Sequence, residues 1–357
     1  MCARRLFPAL LRFALCLTLL GLVLSTSASA GITAKPGAIM QINNLAVAGS
    51  RVVFEGSVSP GKSGSGNYDQ GKLGLWSQRF GSRKLDLVST STMCSDEPTY
   101  ALGAKGTVGC LNTWAMITQV GFDVYVLLGD GTVEKIVSLN FEGGDFDVPV
   151  TEGVPAIFGD GDFLGYLDVS EPGLVKLFRI TPSGQAKYVA DLTGLSSCNP
   201  SDCGSVVVGS GSIVIREFQD SEVHVFTTAG KHVATFSANP AGPGGSVAIH
   251  GDRIVALTNS GRIAVYTLHG KLVHSYRAHA TRGQITTYYG YAAYMRGGKS
   301  VHVLKLSSGK DREIARVRSA GCATLSLQRP GLVVACQDRS RPSIRYFPMK
   351  KIRAKLG

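Results

Sequence analysis

Four residues of this sequence have side chains that suit acid–base catalysis. Asp145 and Asp147 stand in the run FEGGDFD, Asp202 stands in the run NPSD, and His250 follows an apolar run. Two carboxyl groups can cleave a glycosidic bond when one acts as the acid and the other as base or nucleophile, and histidine titrates near neutral pH. These residues are therefore the candidate catalytic groups of a hydrolase or lyase that acts on carbohydrate-like substrates.

The sequence lacks the spacing motifs of the common catalytic and metal sites. It contains no G-x-S-x-G, no C-x-x-C and no two histidines four residues apart. The run FEGGDFD has the carboxylates of a calcium loop but fewer ligands than a defined calcium motif, so calcium stays open there. His224 and His302 each stand between two apolar residues of an alternating run, and we expect both at the surface. We predict no metal site and no cofactor.

Positive charge is concentrated at the C-terminal end of the chain. Residues 299–357 contain 14 Lys and Arg against three Asp and Glu. Such a surplus attracts anions, and clustered arginines bind phosphate or carboxylate groups. The cations predicted to bind an anionic partner are Arg282, Arg296, Lys299, Arg339 and Arg341. An ordinary solvated basic tail is the alternative.

The first 30 residues have the composition of a secretory signal peptide. Three arginines precede an apolar run of about 12 residues, and the tripeptide A-S-A supplies small residues before Gly31. We expect residues 1–30 to be removed during export, with an uncleaved anchor as the alternative. The mature protein is then predicted to be secreted or held in the cell envelope, without a transmembrane segment.

Six cysteines follow residue 30, and an even number in an exported chain indicates disulfide bonds. Metal ligation is the alternative, although no C-x-x-C spacing supports it. The spacing favours pairs of neighbours in the sequence: Cys94 with Cys110, Cys198 with Cys203, and Cys322 with Cys336.

A short strand signature recurs seven times along the chain. It reads apolar-x-apolar and then an aromatic or apolar residue, and each copy follows a hairpin of two apolar runs. The copies are 38–51 residues apart, and they begin at Leu73, Val124, Val175, Val223, Ile263, Val301 and Ile344. Four strands per unit at this period predict an all-β fold, a seven-bladed β-propeller with four-stranded antiparallel blades over residues 31–349. Residues 350–357 then form a basic C-terminal tail.

The repeated hairpin and signature resemble the WD-repeat-like and quinoprotein-like propellers. The likeness covers nearly all of residues 38–349 and implies the fold of that class. No Trp-Asp dipeptide ends the blades and no adjacent cysteines are present. The resemblance therefore implies no subfamily activity.

The seventh unit has only three strands, so the ring needs a fourth. The segment AIMQI, from Ala38 to Ile42, is predicted to supply it and to close the ring, which leaves no exposed sheet edge. A free N-terminal arm is the alternative.

Loop lengths predict where binding takes place. The loops from strand two to strand three and from blade to blade are long, and the end of the ring that they share is called the long-loop face. The turns from strand one to two and from three to four are short, and their end is called the tight-turn face. Long loops on a rigid scaffold often carry function, with neutral insertion as the alternative.

We therefore expect a monomeric, non-catalytic binding or scaffold protein. Its long-loop face is predicted to hold an extracellular protein or an anionic polymer or glycan, and not nucleic acid. The alternatives are the hydrolase or lyase described above and a purely structural surface protein.

Overall fold

The computed structural model describes residues 39–48, 50–58, 72–80, 82, 85–89, 99–116, 119–128, 132–142, 156–171, 174–195, 205–216, 222–238, 246–258, 260–280, 284–317, 323–336 and 342–357. All structural statements below refer to these residues.

Strands in these ranges form seven antiparallel sheets, and within each sheet the strands follow chain order. Blade one contains β1 (Ile39–Ala48), β2 (Arg51–Val58), β3 (Lys72–Arg79) and β4 (Asp86–Ser89). Blade two contains β5 (Thr99–Leu102), β6 (Val108–Met116), β7 (Gln119–Leu127) and β8 (Val133–Glu142). Blade three contains β9 (Ala156–Gly159), β10 (Leu164–Glu171), β11 (Leu174–Ile180) and β12 (Ala186–Leu192). Blade four contains β13 (Ser205–Gly209), β14 (Ser212–Arg216), β15 (Glu222–Thr227) and β16 (His232–Ser237).

The last three blades lead into a short C-terminal helix. Blade five contains β17 (Val247–His250), β18 (Arg253–Leu257), β19 (Arg262–Thr267) and β20 (Leu272–Arg277). Blade six contains β21 (Thr286–Tyr288), β22 (Tyr291–Arg296), β23 (Ser300–Lys305) and β24 (Asp311–Arg316). Blade seven contains β25 (Ala323–Leu327), β26 (Gly331–Cys336) and β27 (Ser343–Pro348), and helix α1 (Met349–Leu356) follows directly.

The seven-bladed architecture confirms the fold expected from the repeated signature. Each of the seven copies lies in the third strand of its blade. In each of the six four-stranded blades, the pairing of the third and fourth strands shifts register within the signature. A bulge of this kind increases strand twist, which suits the outer part of a propeller blade.

Hydrophobic clusters fill the space between neighbouring blades. Seven clusters of buried side chains are present in the described part of the chain, one for each pair of adjacent blades. Both faces of each sheet are therefore covered, which explains why the signature strands are apolar at most positions. Burial of this apolar area is the main force that holds the ring together.

The ring closes by side-chain packing. Ile39 and Ile42 pair with Val58 and Gly56 of β2, so the described residues do not show the predicted contribution of Ala38–Ile42 to blade seven. The side chains of Ile39 and Ile42 instead pack against Val333, Ala335 and Ile344 of blade seven. The rings of Phe80 and Tyr346 stack at 4.8 Å across the same seam, and Gln328 Nε2 donates to Val47 O at 2.8 Å.

The basic C-terminal segment is a folded helix and not an extended tail. Met349, Ile352 and Leu356 lie on one face of α1 because they are spaced by three and four residues, and all three are buried against blades six and seven. The Met349 N–H donates to Pro330 O at 3.0 Å, and Lys305 Nζ donates to Gly357 O at 3.2 Å. The helix therefore carries its exposed cations over the tight-turn face.

His224 is buried and His302 is only partly exposed, contrary to the surface positions expected from the sequence. His224 is 1% exposed, and its Nδ1 lies 3.0 Å from Thr235 Oγ1. His302 Nδ1 lies 3.1 Å from Asp311 Oδ1. The expectation was wrong because neighbouring blades cover both faces of each sheet, so a polar residue in an alternating strand needs a partner on the fourth strand.

Candidate functional site

A central cavity of ≈ 600 Å³ runs between the first strands of the blades. All seven first strands contribute to its wall, so the cavity is the central channel of the propeller. The wall is apolar along blades four and five, where it includes Val207 and Ile249. Along blades six and seven it carries amide and hydroxyl groups, among them Gln284, Thr286 and Ser326. The cavity therefore has one apolar side and one hydrogen-bonding side.

Three aromatic rings meet at one mouth of this cavity. His250 ends β17, and Tyr288 ends β21 in the next blade. The His250 ring centroid lies 4.5 Å from those of Tyr288 and Tyr289. The two tyrosine rings meet edge to face at 4.6 Å. Because both first strands end here in their hairpin turns, this aromatic cluster lies at the tight-turn face.

Tyr289 occupies an unusual position for a tyrosine. Its φ is 42°, in the left-handed region that side chains other than Gly, Asn and Asp seldom adopt. The equivalent two-residue turns begin with Ser210 in blade four and Gly251 in blade five. The Tyr289 side chain is also 65% exposed. Blade six thus displays a large aromatic ring at a turn position where blades four and five carry small residues.

Cations lie beside the aromatic cluster. Arg329 lines the cavity from the β25–β26 turn. Met349, the first residue of α1, donates its N–H to the O of the neighbouring Pro330, and the same helix carries Arg353. Burial and the nearby Tyr289 raise the pKa of Tyr288, while the positive charges of Arg329 and Arg353 act in the opposite direction. Both guanidinium groups are therefore close enough to Tyr288 to act on its hydroxyl.

Acidic residues lie on the blade-three side of the same cavity. Asp160 and Asp162 both line it, in the turn that joins β9 to β10. Asp160 Oδ1 accepts the N–H groups of Asp162 and Phe163 at 3.0 Å and 2.8 Å, so this carboxylate holds its own turn. The mouth is therefore polarised, with acids at blade three and cations at blade seven.

His250 is the one candidate catalytic residue within the described ranges. Burial lowers the pKa of its imidazole, which keeps the ring neutral at physiological pH. In the described part of the chain its ring contacts aromatic rings, and we find no ion pair between His250 and a carboxylate. The geometry therefore fits a packing or ligand-contact role. Asp145, Asp147 and Asp202 lie outside the described residues.

The candidate cations on the long-loop face differ in how they are engaged. Arg296, at the end of β22, pairs with Asp311 at 3.5 Å, and Asp311 also accepts the Tyr294 hydroxyl at 2.8 Å. Lys299 is exposed in the turn before β23. Arg282, Arg339 and Arg341 lie outside the described residues. Arg296 thus belongs to a hydrogen-bonded group within blade six.

Two other buried carboxylates lie between or within blades. Glu55 accepts the Tyr100 hydroxyl at 3.0 Å, and burial raises the pKa of Glu55. Burial also opposes ionisation of Asp123, but hydrogen bonds from Ser138 and Lys135 outweigh it and hold the pKa of Asp123 below its usual value. These groups join blades one and two, and strands β7 and β8. Their positions indicate structural roles.

Cys110 and Cys336 are both buried. The residues predicted as their partners, Cys94 and Cys322, and the pair Cys198 and Cys203 lie outside the described residues. The disulfide pairing stays a prediction.

The described ranges contain neither a candidate metal cluster nor a candidate membrane-spanning helix. We find no group of three or more His, Cys, Asp or Glu side chains there that is placed to hold a metal ion. Within the same ranges, no helix has the length and apolar content needed to cross a bilayer.

Solved structures of several propellers are similar to this chain. Sqt1 of Saccharomyces cerevisiae matches with a TM-score of 0.52 and 13% identity, over 84% of this chain and 81% of that one. The β-propeller domain of the trilobed protease from Pyrococcus furiosus, which has an open velcro topology, matches with a TM-score of 0.54 and 10% identity, over 86% and 95% of the two chains. A chain of the mitotic checkpoint complex matches with a TM-score of 0.51 and 11% identity, over 88% and 90%.

No family model and no curated protein sequence matches the chain. The fold is therefore a seven-bladed β-propeller that resembles WD-repeat propellers. At these identities the likeness shows the fold alone, and function has to be argued from the residues.

Sequence reasoning missed most of the residues at the channel mouth. It selected His250 but not Tyr288, Tyr289, Arg329 or Arg353. A signal was present, because aligning the hairpin turns of blades four, five and six places Tyr289 where the others carry Ser210 and Gly251. The cations were visible as charge, but their approach to the mouth depends on α1 folding back onto blade seven.

Proposed function

We propose that this protein is an exported, non-catalytic binding or scaffold propeller that holds an anionic extracellular polymer, glycan or protein. The observation that supports this most is the charge imbalance of blades six and seven with α1, which contain 14 Lys and Arg against three acids over residues 299–357. A rigid ring with one strongly basic sector attracts an extended polyanion and holds it without chemistry. Propellers commonly serve as binding scaffolds, which agrees with this role.

The proposal places the partner on the long-loop face, where Lys299 is exposed. From the sequence pattern we expect Arg282, Arg339 and Arg341 to lie in loops at the same face. Of the three acids in this sector, Asp311 is engaged by Arg296, and Glu313 by Arg316 at 2.7 Å. Internal pairing therefore neutralises only a small part of the positive charge.

A binding assay on immobilised protein tests the proposal. The ligands are a sulfated polysaccharide, a carboxylated polysaccharide and an uncharged polysaccharide, each measured at low and physiological salt. We expect binding of both acidic polymers, a loss of affinity as salt rises, and no binding of the uncharged polymer. The double variant Arg339→Glu/Arg341→Glu should weaken binding at low salt by about tenfold or more.

A matched control carries the same change in net charge elsewhere. Lys187 and Lys231 are exposed on blades three and four, and the variant Lys187→Glu/Lys231→Glu should reduce affinity by less than about twofold, since both lie away from the basic sector. Equal losses in the two variants would show a general charge effect and contradict a defined site. Wild-type affinity of Arg339→Glu/Arg341→Glu would remove the long-loop face from the proposal.

A further inference from the structure

We propose that the channel mouth at the tight-turn face binds an acidic sugar, with Tyr288, Tyr289 and His250 against the sugar ring and Arg329 and Arg353 on its carboxylate or sulfate. This site lies at the opposite end of the ring from the long-loop face, to which the function proposed above assigns its partner. The proposal for this site is therefore independent of the function proposed above, and different variants test the two.

The exposed tyrosine is the first argument. The left-handed backbone at Tyr289 costs free energy that Gly or Asn would avoid, and the exposed ring recovers little by burial. Strained and exposed residues of this kind concentrate at ligand sites. The faces of aromatic rings carry partial negative charge and attract the C–H bonds on the face of a pyranose ring. Tyr288 and His250 hold the Tyr289 ring at the mouth through contacts of 4.5–4.6 Å.

The cations are the second argument. Arg329 lines the cavity, and the positive charges of Arg329 and Arg353 both favour a lower pKa of Tyr288, which places them near its ring. A guanidinium group offers two parallel N–H donors that match a carboxylate or sulfate. The acids Asp160 and Asp162 lie across the cavity at blade three. This polarity orients an acidic ligand with its charge toward blade seven.

The wall of the cavity is the third argument, and it favours a sugar over other anions. Along the channel, blades six and seven supply Gln284, Thr286, Ser326 and Gln328 to the wall. Thr286 Oγ1 accepts from the Leu327 N–H, and Gln284 Oε1 accepts from the Leu325 N–H, which fixes both side chains in place. The Thr286 hydroxyl hydrogen and the Gln284 amide N–H groups can donate to a polyhydroxylated ligand. The volume of ≈ 600 Å³ lies within the range of pockets that hold small organic ligands.

Isothermal titration calorimetry with three probes tests the proposal. The probes are a uronic-acid tetrasaccharide, the neutral tetrasaccharide with the same linkages, and a nucleoside monophosphate, which shares a ring and an anion but lacks the hydroxyl pattern. We expect the acidic tetrasaccharide to bind at least about tenfold more tightly than either of the other two. A sulfated tetrasaccharide then tells a carboxylate from a sulfate as the preferred anion.

Two variants locate the site. Tyr289→Asn keeps a residue that accepts the left-handed backbone, so it should fold at least as well as the wild type while losing about tenfold or more in affinity for the acidic tetrasaccharide. Arg329→Gln should lower the affinity for the acidic tetrasaccharide to the affinity for the neutral tetrasaccharide. Tyr188→Ala is the matched control, because Tyr188 is also exposed, at 56%, but lies on blade three away from the mouth. It should bind like the wild type, as should Arg339→Glu/Arg341→Glu.

Several results would overturn the proposal. Equal affinity for acidic and neutral tetrasaccharides would exclude a role for the cations, and wild-type affinity of Tyr289→Asn would exclude the aromatic cluster. Tighter binding of the nucleoside monophosphate than of the acidic tetrasaccharide would show that the site prefers a nucleotide, which contradicts a sugar site. Absence of heat with all probes at millimolar concentration, confirmed by unchanged NMR spectra, would exclude the site.

Discussion

The two ends of the ring differ in how they present charged and aromatic side chains. At the long-loop face, Arg296 is engaged by Asp311 within its own blade and Lys299 is exposed in a turn. At the tight-turn face, two-residue turns fix each side chain directly on the end of a strand. Short turns leave the backbone little freedom, so the aromatic cluster is held in place before any ligand arrives. Loop length is therefore a poor guide to where a propeller builds a preorganised site.

The helix α1 adds a further difference between the two faces of the ring. Its buried face docks on blades six and seven, and its exposed face adds Lys350, Arg353 and Lys355 to the tight-turn end. The largest effect we expect comes from breaking this docking. Ile352 is 1% exposed, and Ile352→Asp buries an unpaired carboxylate in place of an apolar group, which should cost about 3 kcal/mol or more of stability. Thermal unfolding measures this cost.

Ala354→Asp is the control for that prediction. It places the same charge on the exposed side of α1 and should change stability by less than about 0.5 kcal/mol. Equal losses of stability in Ile352→Asp and Ala354→Asp would show that α1 does not pack on the ring. The cations of α1 would then not belong to the tight-turn face.

A second prediction compares two glycines at the tight-turn face. Gly270 and Gly251 both have positive φ, 78° and 61°, but a Cβ on Gly270 would lie 2.6 Å from the Phe236 ring, whereas a Cβ on Gly251 would meet no atom within 4 Å. Gly251→Ala should cost about 1 kcal/mol from backbone strain alone, and Gly270→Ala about 2 kcal/mol because the clash adds to it. Chemical denaturation gives both values. Similar losses would mean that blades four and five are less tightly packed than the structure shows.

A third prediction concerns pH and His250. Its pKa is lower in the folded chain than in the unfolded one, so its contribution to stability is present above the unfolded pKa and is lost as pH falls through the folded pKa. Below about pH 6.5 the wild type should therefore lose stability relative to His250→Gln, by about 1–2 °C in Tm because solvent screens this partly exposed ring. Melting curves at pH 7.5 and pH 5 for both proteins test it. If the Tm values of the wild type and of His250→Gln change equally between pH 7.5 and pH 5, the His250 ring is solvated in the folded protein.

The smallest effect comes from the turn itself. Tyr289→Gly removes the steric cost of the left-handed backbone, so Tm should rise by a few degrees at most, about 0.5 kcal/mol in stability. Ser210→Gly at the equivalent turn of blade four is the matched control and should gain less, since a small polar residue tolerates this conformation better. A fall in stability for Tyr289→Gly would show that the ring is held there for packing.

Much of the fold could be predicted from the sequence, because the signature strands repeat and each apolar run must be covered. The hairpin of residues 205–208 with 213–215, for example, has the observed register Val208 with Ile213. Helix α1 was missed because its charges obscured the apolar spacing of Met349, Ile352 and Leu356. The partner of Ile39 and Ile42 was also missed, since an apolar strand fits either side of the closing seam equally well.

The site was less predictable for a geometric reason. His250 and Tyr288 are distant in sequence and meet only because β17 and β21 lie side by side in the ring. Arg353 reaches the same place through the fold of α1. A single sequence shows the residue types but not which turns become neighbours.

The seam between blades seven and one has a consequence for how the ring comes apart. In the described residues it is held by side-chain packing, one ring stack and the hydrogen bond of Gln328, with no strand passing across it. It thus resembles a small interface between two proteins, whereas each of the other six seams joins blades that follow each other along the chain. We expect the first cooperative opening of the molecule there, so that amides of β1 and β27 exchange with solvent deuterium before those of blade five. The channel then widens or collapses from one side, and the closing seam sets the mechanical strength of the whole ring.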